Sequence, residues 1–380
     1  MKTRTTTAIA ALAALGLAGA AQAEIRLGAT LSETGPASFL GDPEAKTLEM
    51  LVEQINEEGG INGEQVELIM YDDGGDANKA RTFATRLIED DEVHAIIGGT
   101  TTGTTMAMVP MVESEEVPFI SLAGAIVIVD PVKDYVFKTP HTDRMACQKI
   151  FEDMQGRDIT QIGMISGTGG FGNSMREQCL DVVAEYGIEV LADERYGPRD
   201  ADMTPQLTNI RNTEGVQAVL NPGFGQGPAI VTRNFSQLAL EMPLYQSHGV
   251  ASNSFIDLAG AEAAEGVRLP GTALLVGEGL PEDHPQREVV VNYKTAYEDT
   301  YDEPVSTFGG YAHDAMMILK DAIERAGSSD PQAIRDAIEQ TEGLVGTTGI
   351  VNMTPEDHLG LDTDDFLMLE IRDGAWTLVD

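Results

Sequence analysis

Basic residues are scarce. The 380-residue chain carries 24 Lys and Arg against 62 Asp and Glu, a net charge of −38. Phosphate binding needs a clustered cationic face, so nucleic acid is excluded as a partner. An anionic membrane surface is disfavoured for the same reason. The surplus acid reads as a solvated surface. Cysteine is nearly absent, with only Cys147 and Cys179. The six histidines, His94, His141, His248, His284, His313 and His358, are scattered, and no pair has zinc spacing. No G-x-S-x-G elbow occurs, so a nucleophile arrangement of that kind is missing. Beyond the N-terminus no apolar run is long enough to span a bilayer.

The N-terminus itself reads as an export signal. Lys2 and Arg4 precede an apolar run from Ala8 to Ala20, and "AQA" ends at Ala23. Cleavage after Ala23 is expected, leaving Glu24 first and an exported, soluble protein. An oxidising compartment allows a Cys147–Cys179 bridge. Both cysteines fall in predicted helices flanking one strand, and a bridge and two buried thiols both remain open.

Glycine is plentiful, with 40 residues set mostly between strand-like and helix-like runs. "EIRLGATLS" reads as a strand followed by the loop "ETGPASFLGDP". Leu48, Leu51, Val52 and Ile55 recur at helical spacing within 45–57. Strand and helix then alternate through "QVELIMYDD", "ANKARTFATRLIEDD", "VHAIIGG", "TTGTTMAMVPMVESEE" and "VPFISLAG". The alternation restarts after "YVFKTPHTD". Such βαβ order predicts parallel sheets, and the length predicts two lobes. Crossings between lobes are expected at 139–142, at 267–272 and near Gly346. "FLMLEIRDGAWTLVD" reads as a terminal hairpin turning at Asp373-Gly374.

Two motifs point towards other chemistry. "GTGGFG" matches G-x-G-x-x-G through Gly167, Gly169 and Gly172, between a strand and a helix. A dinucleotide-dependent enzyme is the corresponding reading. Against it, the motif opens the second unit of an exported chain. A strand-to-helix turn facing a cleft, with Phe171 as a platform, is preferred. "YDDGGDAN" is loosely calcium-like but lacks the downstream Glu, so a strand end and helix cap explain it better. What remains are glycine and hydroxyl loops at strand C-termini, where open α/β sheets bind ligands. Thr100, Thr101 and Thr102 stand at a helix N-terminus that suits a carboxylate, or else merely cap it. Ala123, Gly124 and Ala125 of "SLAGA" offer backbone donors.

The order of "TGPASFLGD", "QINEEGGINGEQVELIMYDDGGDANKA", "AIIGGTTTG", "VPFISLAGA", "YVFKTPHTD", "GFGNS" and "HGVASNSFIDLAG" resembles the type I periplasmic binding proteins, in the leucine/isoleucine/valine-binding branch serving ABC importers. The resemblance implies an α/β fold of two doubly wound parallel-sheet lobes joined by three hinge crossovers. It places 24–140 with 270–345 in lobe 1 and 141–269 with 346–380 in lobe 2, after a signal peptide at 1–23. It implies a monomer in the periplasm that binds a small solute, has no cofactor, metal or catalytic residue, and delivers its ligand to a membrane permease.

By resemblance, Thr102 matches the hydroxyl that holds a ligand carboxylate, with Thr101 beside it. Ala123 matches a backbone contact. Ala125 replaces a threonine, so one polar contact to an α-amino acid is missing. Phe171 and Phe224 match aromatic positions of the second lobe, and Leu40, beside Phe39, lies where an aromatic often covers the ligand. His248 stands where amino-acid binders place an acid for the ligand ammonium. "SHGVAS" and "SLAGAIVIVDPV" resemble the subgroup that binds aromatic carboxylates, for which Phe39, Phe171, Phe224, Phe308 and Tyr311 would wall the pocket. An aromatic acid is therefore the expected ligand. The alternatives are a branched-chain or other neutral amino acid, or a sensor role without transport.

Overall fold

The computed structural model describes residues 24–379, so the expected signal peptide lies outside the described residues. The first sheet comprises β1 (Glu24–Leu31), β2 (Gln65–Asp72), β3 (Ala95–Gly98), β4 (Phe119–Ser121) and β5 (Val136–Lys138), in the order β2-β1-β3-β4-β5. Every pairing in it is parallel. The second sheet has β6 (Gln161–Gly167), β7 (Glu189–Tyr196), β8 (Ala218–Asn221), β9 (Leu244–Gln246) and β10 (Arg268–Gly271). After the small hairpin β11 (Leu344–Val345) and β12 (Ile350–Val351), β13 (Leu367–Arg372) and β14 (Ala375–Leu378) complete it as an antiparallel edge. Its order is β14-β13-β10-β9-β8-β6-β7.

Helices cover both faces of each sheet. They are α1 (Ser38–Glu57), α2 (Ala77–Glu89), α3 (Thr102–Ser114), α4 (Asp143–Gly156), α5 (Gly170–Val182), α6 (Thr204–Asn212) and α7 (Gln226–Gln237). Then come α8 (Asn253–Ala259), α9 (Ala261–Ala264), α10 (Arg287–Tyr301), α11 (Thr307–Ala326) and α12 (Pro331–Ile338). Because strand side chains alternate, each strand feeds two cores. On β3, Ala95 and Ile97 join the core under α1 and α11, while Ile96 joins the core under α2 and α3. On β8, Ala218 and Leu220 pack towards α4 and α5, and Val219 packs towards α6 and α7. The expected two-lobed α/β architecture is therefore present.

Three details depart from the sequence reading or complete it. Helix α1 begins at Ser38 rather than Ala45 and runs through Pro43, whose carbonyl accepts the Thr47 hydroxyl at 2.7 Å. Burial of Leu40, Ala45 and Leu48 against the first core outweighs the local penalty of the proline. The last crossing does not occur at Gly346. Val351, Met353, Leu359 and Leu361 still pack in the first core, and Phe366 is the first residue of this stretch in the second. Asp314 holds the intervening loop, accepting the Thr347 and Thr348 N–H groups at 2.8 Å each. The packing thus assigns 346–361 to lobe 1. Finally, Cys147 on α4 and Cys179 on α5 are bonded to each other, with their Cα atoms 5.1 Å apart.

The terminal hairpin forms where expected. Asp373 and Gly374 both adopt left-handed angles, φ 52° and 75°, as a two-residue primed turn requires.

Candidate functional site

A cavity of about 390 Å³ lies between the lobes at the C-terminal ends of the strands. Of the expected residues, Leu40, Thr101, Thr102, Ala123, Gly124, Phe171, Phe224, His248, Phe308 and Tyr311 line it. Two do not. Phe39 sits behind the wall, its ring edge-on to Phe308 at 5.8 Å between centroids. Ala125 is fully buried in the core under α3, so the position of the missing hydroxyl is turned away from the cavity. Thr100, Leu122, Pro140 and Gly249 also line the site. Thr100, Leu122 and Gly249 adjoin residues singled out in the sequence. Pro140 carries no local signal and is placed by the first crossing.

The threonine triplet divides into three roles. Thr100 Oγ1 accepts the Ser32 N–H at 3.0 Å and donates to Glu44 Oε2 at 2.5 Å, so its hydroxyl is fully used. Burial pushes the pKa of the Glu44 carboxyl well upward, against the pull of the Thr100 hydrogen bond. Thr101 is the N-cap of α3 and exchanges bonds with Thr104 in a capping box. Thr102 Oγ1 is buried without a partner and lines the cavity. The first N–H groups of α3 lack intrahelical acceptors, so this end favours an anion. Across the cleft, the N-terminus of α5 comes close. A Cβ at Gly170 would lie 3.6 Å from Gly103 N. Two helix N-termini therefore converge on one space.

The backbone donor expected at Ala123 is occupied, since its N–H bonds Ser121 Oγ at 3.2 Å. The Gly124 carbonyl is held from behind by Lys138 Nζ at 3.0 Å and by the Asp143 N–H at 2.9 Å. Lys138 is wholly buried, and burial lowers its pKa to about 7 against the opposing pull of Asp143.

His248 follows β9 in a short turn fixed by Ser247, whose Oγ accepts the Gly249 N–H at 3.1 Å and donates to the Gly223 carbonyl. The imidazole meets Phe171 and Phe366 edge-on, with centroids 5.3 and 5.4 Å away. Burial first, then the nearby Lys138 charge and His141, drive its pKa down to about 3. It is therefore a neutral ring with one donor and one acceptor. Neither nitrogen has a partner of good hydrogen-bond geometry, and the His141 backbone is the one nearby group that favours protonation of the ring. Other histidines are committed structurally. His358 bridges the Val136 carbonyl and Glu339 at 2.9 and 3.1 Å, and His313 bonds Asp314 at 2.9 Å. His141 is stacked on Phe366 at 4.2 Å, outside the cavity lining.

The motifs with other readings have structural explanations. Asp76 caps α2 through the Asn78 and Lys79 N–H groups, and Asp73 accepts from Ser32 Oγ at 2.6 Å. Among the described residues no cluster of His, Cys, Asp and Glu could hold a metal ion. Gly167, Gly169 and Gly172 form the turn into α5, which presents Phe171 to the cavity.

The sequence pattern of the family described as "Periplasmic binding protein" matches residues 24–375. The chain belongs to this family. The periplasmic binding protein is 25% identical over 360 residues to a leucine-, isoleucine-, valine-, threonine- and alanine-binding protein of Pseudomonas aeruginosa, covering 93% of this chain and 90% of that one. It is similar in structure to an extracellular ligand-binding receptor of Rhodopseudomonas palustris HaA2, with TM-score 0.88, 29% identity, and coverage of 94% of this chain and 100% of that one. It also shares the fold of the isoleucine complex of LivJ from Streptococcus pneumoniae, with TM-score 0.83, 22% identity, and 94% and 99% coverage. The family is one of binding proteins of the periplasm.

Proposed function

We propose that this periplasmic binding protein is the receptor of an ABC importer for small aromatic carboxylates, which it passes to a membrane permease. One observation carries the reading: the cavity offers an anion site and an unpaired neutral imidazole, and no carboxylate lines it. A ligand carboxylate suits the α3 N-terminus and Thr102 Oγ1. An aromatic ring suits the walls of Phe171, Phe224 and Phe308. A ligand ammonium would be desolvated opposite His248 with no negative partner, at a cost of several kcal/mol.

The names of the curated relatives favour a second reading, a neutral or branched-chain amino acid as ligand. A thermal-shift screen separates the two. Ligand at a hundredfold excess over its Kd adds about 2.7 kcal/mol to the folded state. Benzoate and cinnamate are expected to raise the melting temperature, and leucine and valine to leave it unchanged. The opposite pattern replaces the aromatic reading with the amino-acid one.

A further inference from the structure

The cavity contains one more unused polar group. Tyr311 lies one turn along α11 from Phe308, with ring centroids 6.1 Å apart, and both line the site. Tyr311 is only 2% exposed, yet its hydroxyl has no hydrogen-bond partner. Three other buried tyrosines are satisfied. Tyr293 shares a bond with Thr47 Oγ1 at 2.7 Å, Tyr245 donates to Asp153 at 2.5 Å, and Tyr196 accepts from Asn221 at 3.3 Å. Three threonine hydroxyls of this region are engaged elsewhere. Thr100 is engaged by Ser32 and Glu44, Thr101 by Thr104, and Thr139 donates to the Tyr311 backbone carbonyl at 3.0 Å. Burial, with Asp314 and Glu44 adding to it, pushes the phenol's ionisation upward, so it stays a neutral O–H.

A buried hydroxyl without a partner carries a desolvation cost that an occupant of the cavity can relieve. We infer that the Tyr311 hydroxyl is a specificity-determining contact for an oxygen substituent on the ligand ring, so the preferred ligands are hydroxylated aromatic acids. The inference rests on the aromatic-acid reading. Thr102 Oγ1 and the α3 N–H groups serve the carboxylate, and Tyr311 Oη serves the ring hydroxyl. The aliphatic side chain of a branched amino acid gives this phenol no partner.

Calorimetry with benzoate, 3-hydroxybenzoate and 4-hydroxybenzoate on the full protein and on Tyr311→Phe tests this. One hydroxybenzoate is expected to bind the native protein about tenfold more tightly than benzoate. Tyr311→Phe keeps the ring and loses only the hydroxyl. It should abolish that preference, so that within the variant the hydroxybenzoates bind no more tightly than benzoate. Equal binding of all three acids, or a preference that survives in Tyr311→Phe, overturns the inference and leaves the aromatic reading standing. Failure of all three acids to bind, with leucine binding instead, overturns both.

Discussion

Gly124→Ala is expected to abolish ligand binding while the protein still folds. A Cβ at this position would lie 2.6 Å from His248 Nε2 and 3.0 Å from Phe171 Cε2, both across the cleft in the second lobe. The first is closer than real Cβ contacts come. The Gly124 peptide cannot withdraw, since Lys138 Nζ and the Asp143 N–H hold its carbonyl from behind. His248 is wedged between Phe171 and Phe366 and has little room to yield. The clash exists only when the lobes meet, because each partner belongs to the other lobe. The empty protein can relieve it by opening, so its melting temperature should change by no more than a few degrees. The bound state cannot, and affinity should fall by about a hundredfold or more, the effect of a contact that forces packed side chains out of place. Calorimetry on the variant checks this; a preserved affinity would mean that the lobes close less tightly around the ligand.

His248→Ala should weaken binding of an aromatic acid by roughly ten- to a hundredfold, the range for losing a buried hydrogen bond and an edge-on ring contact. Stability of the empty protein should change less. The variant loses packing on Phe171 and Phe366 but also removes two buried nitrogens that lack partners. Unchanged affinity by calorimetry would remove His248 from the recognition site. His248→Glu is the informative companion, since it restores an acid where an ammonium would need one. It should weaken aromatic acids and admit neutral amino acids.

The protonation of His248 adds a pH signature. With its pKa lowered to about 3, the ring stays neutral between pH 8 and 5. Lobe closure is what buries the ring, so below about pH 6.5 closing on a ligand must expel a proton, and affinity should weaken as pH falls through that range. Folding stability should respond in the same sense. The unfolded imidazole takes a proton at its ordinary pKa near 6.5, and the folded one refuses it. The contribution of His248 is thus present above about pH 6.5 and lost as pH falls towards 3. Acid unfolding of His248→Gln should show a shallower loss over that window.

The fold was largely legible because its signals are local. Alternating short strands and helices imply parallel sheets, Asp76 and Thr101 are recognisable helix caps, and Asp373-Gly374 is a recognisable turn. The ends of elements were less legible. Helix α1 starts seven residues early because packing of Leu40, rather than local preference, decides its first turns. The return to the second lobe moves past Leu361 because Asp314, distant in sequence, anchors the loop.

The candidate site divides in the same way. By itself the sequence determined which residues stand at strand ends facing a cleft, and that a histidine occupies a position where an acid would serve an amino acid. Only the tertiary structure decided what those residues have left to offer a ligand. Thr100, Thr101 and Thr102 are identical in type and adjacent, yet one is tied to Glu44, one caps its helix and one is free. Ala125 looks like its neighbours in sequence but faces the core. His248 is neutral because lobe closure strips its water and brings Lys138 near. Hydrogen-bond availability and pKa are set by whatever chain lies opposite, and residues far apart in sequence meet only once both lobes are folded and closed.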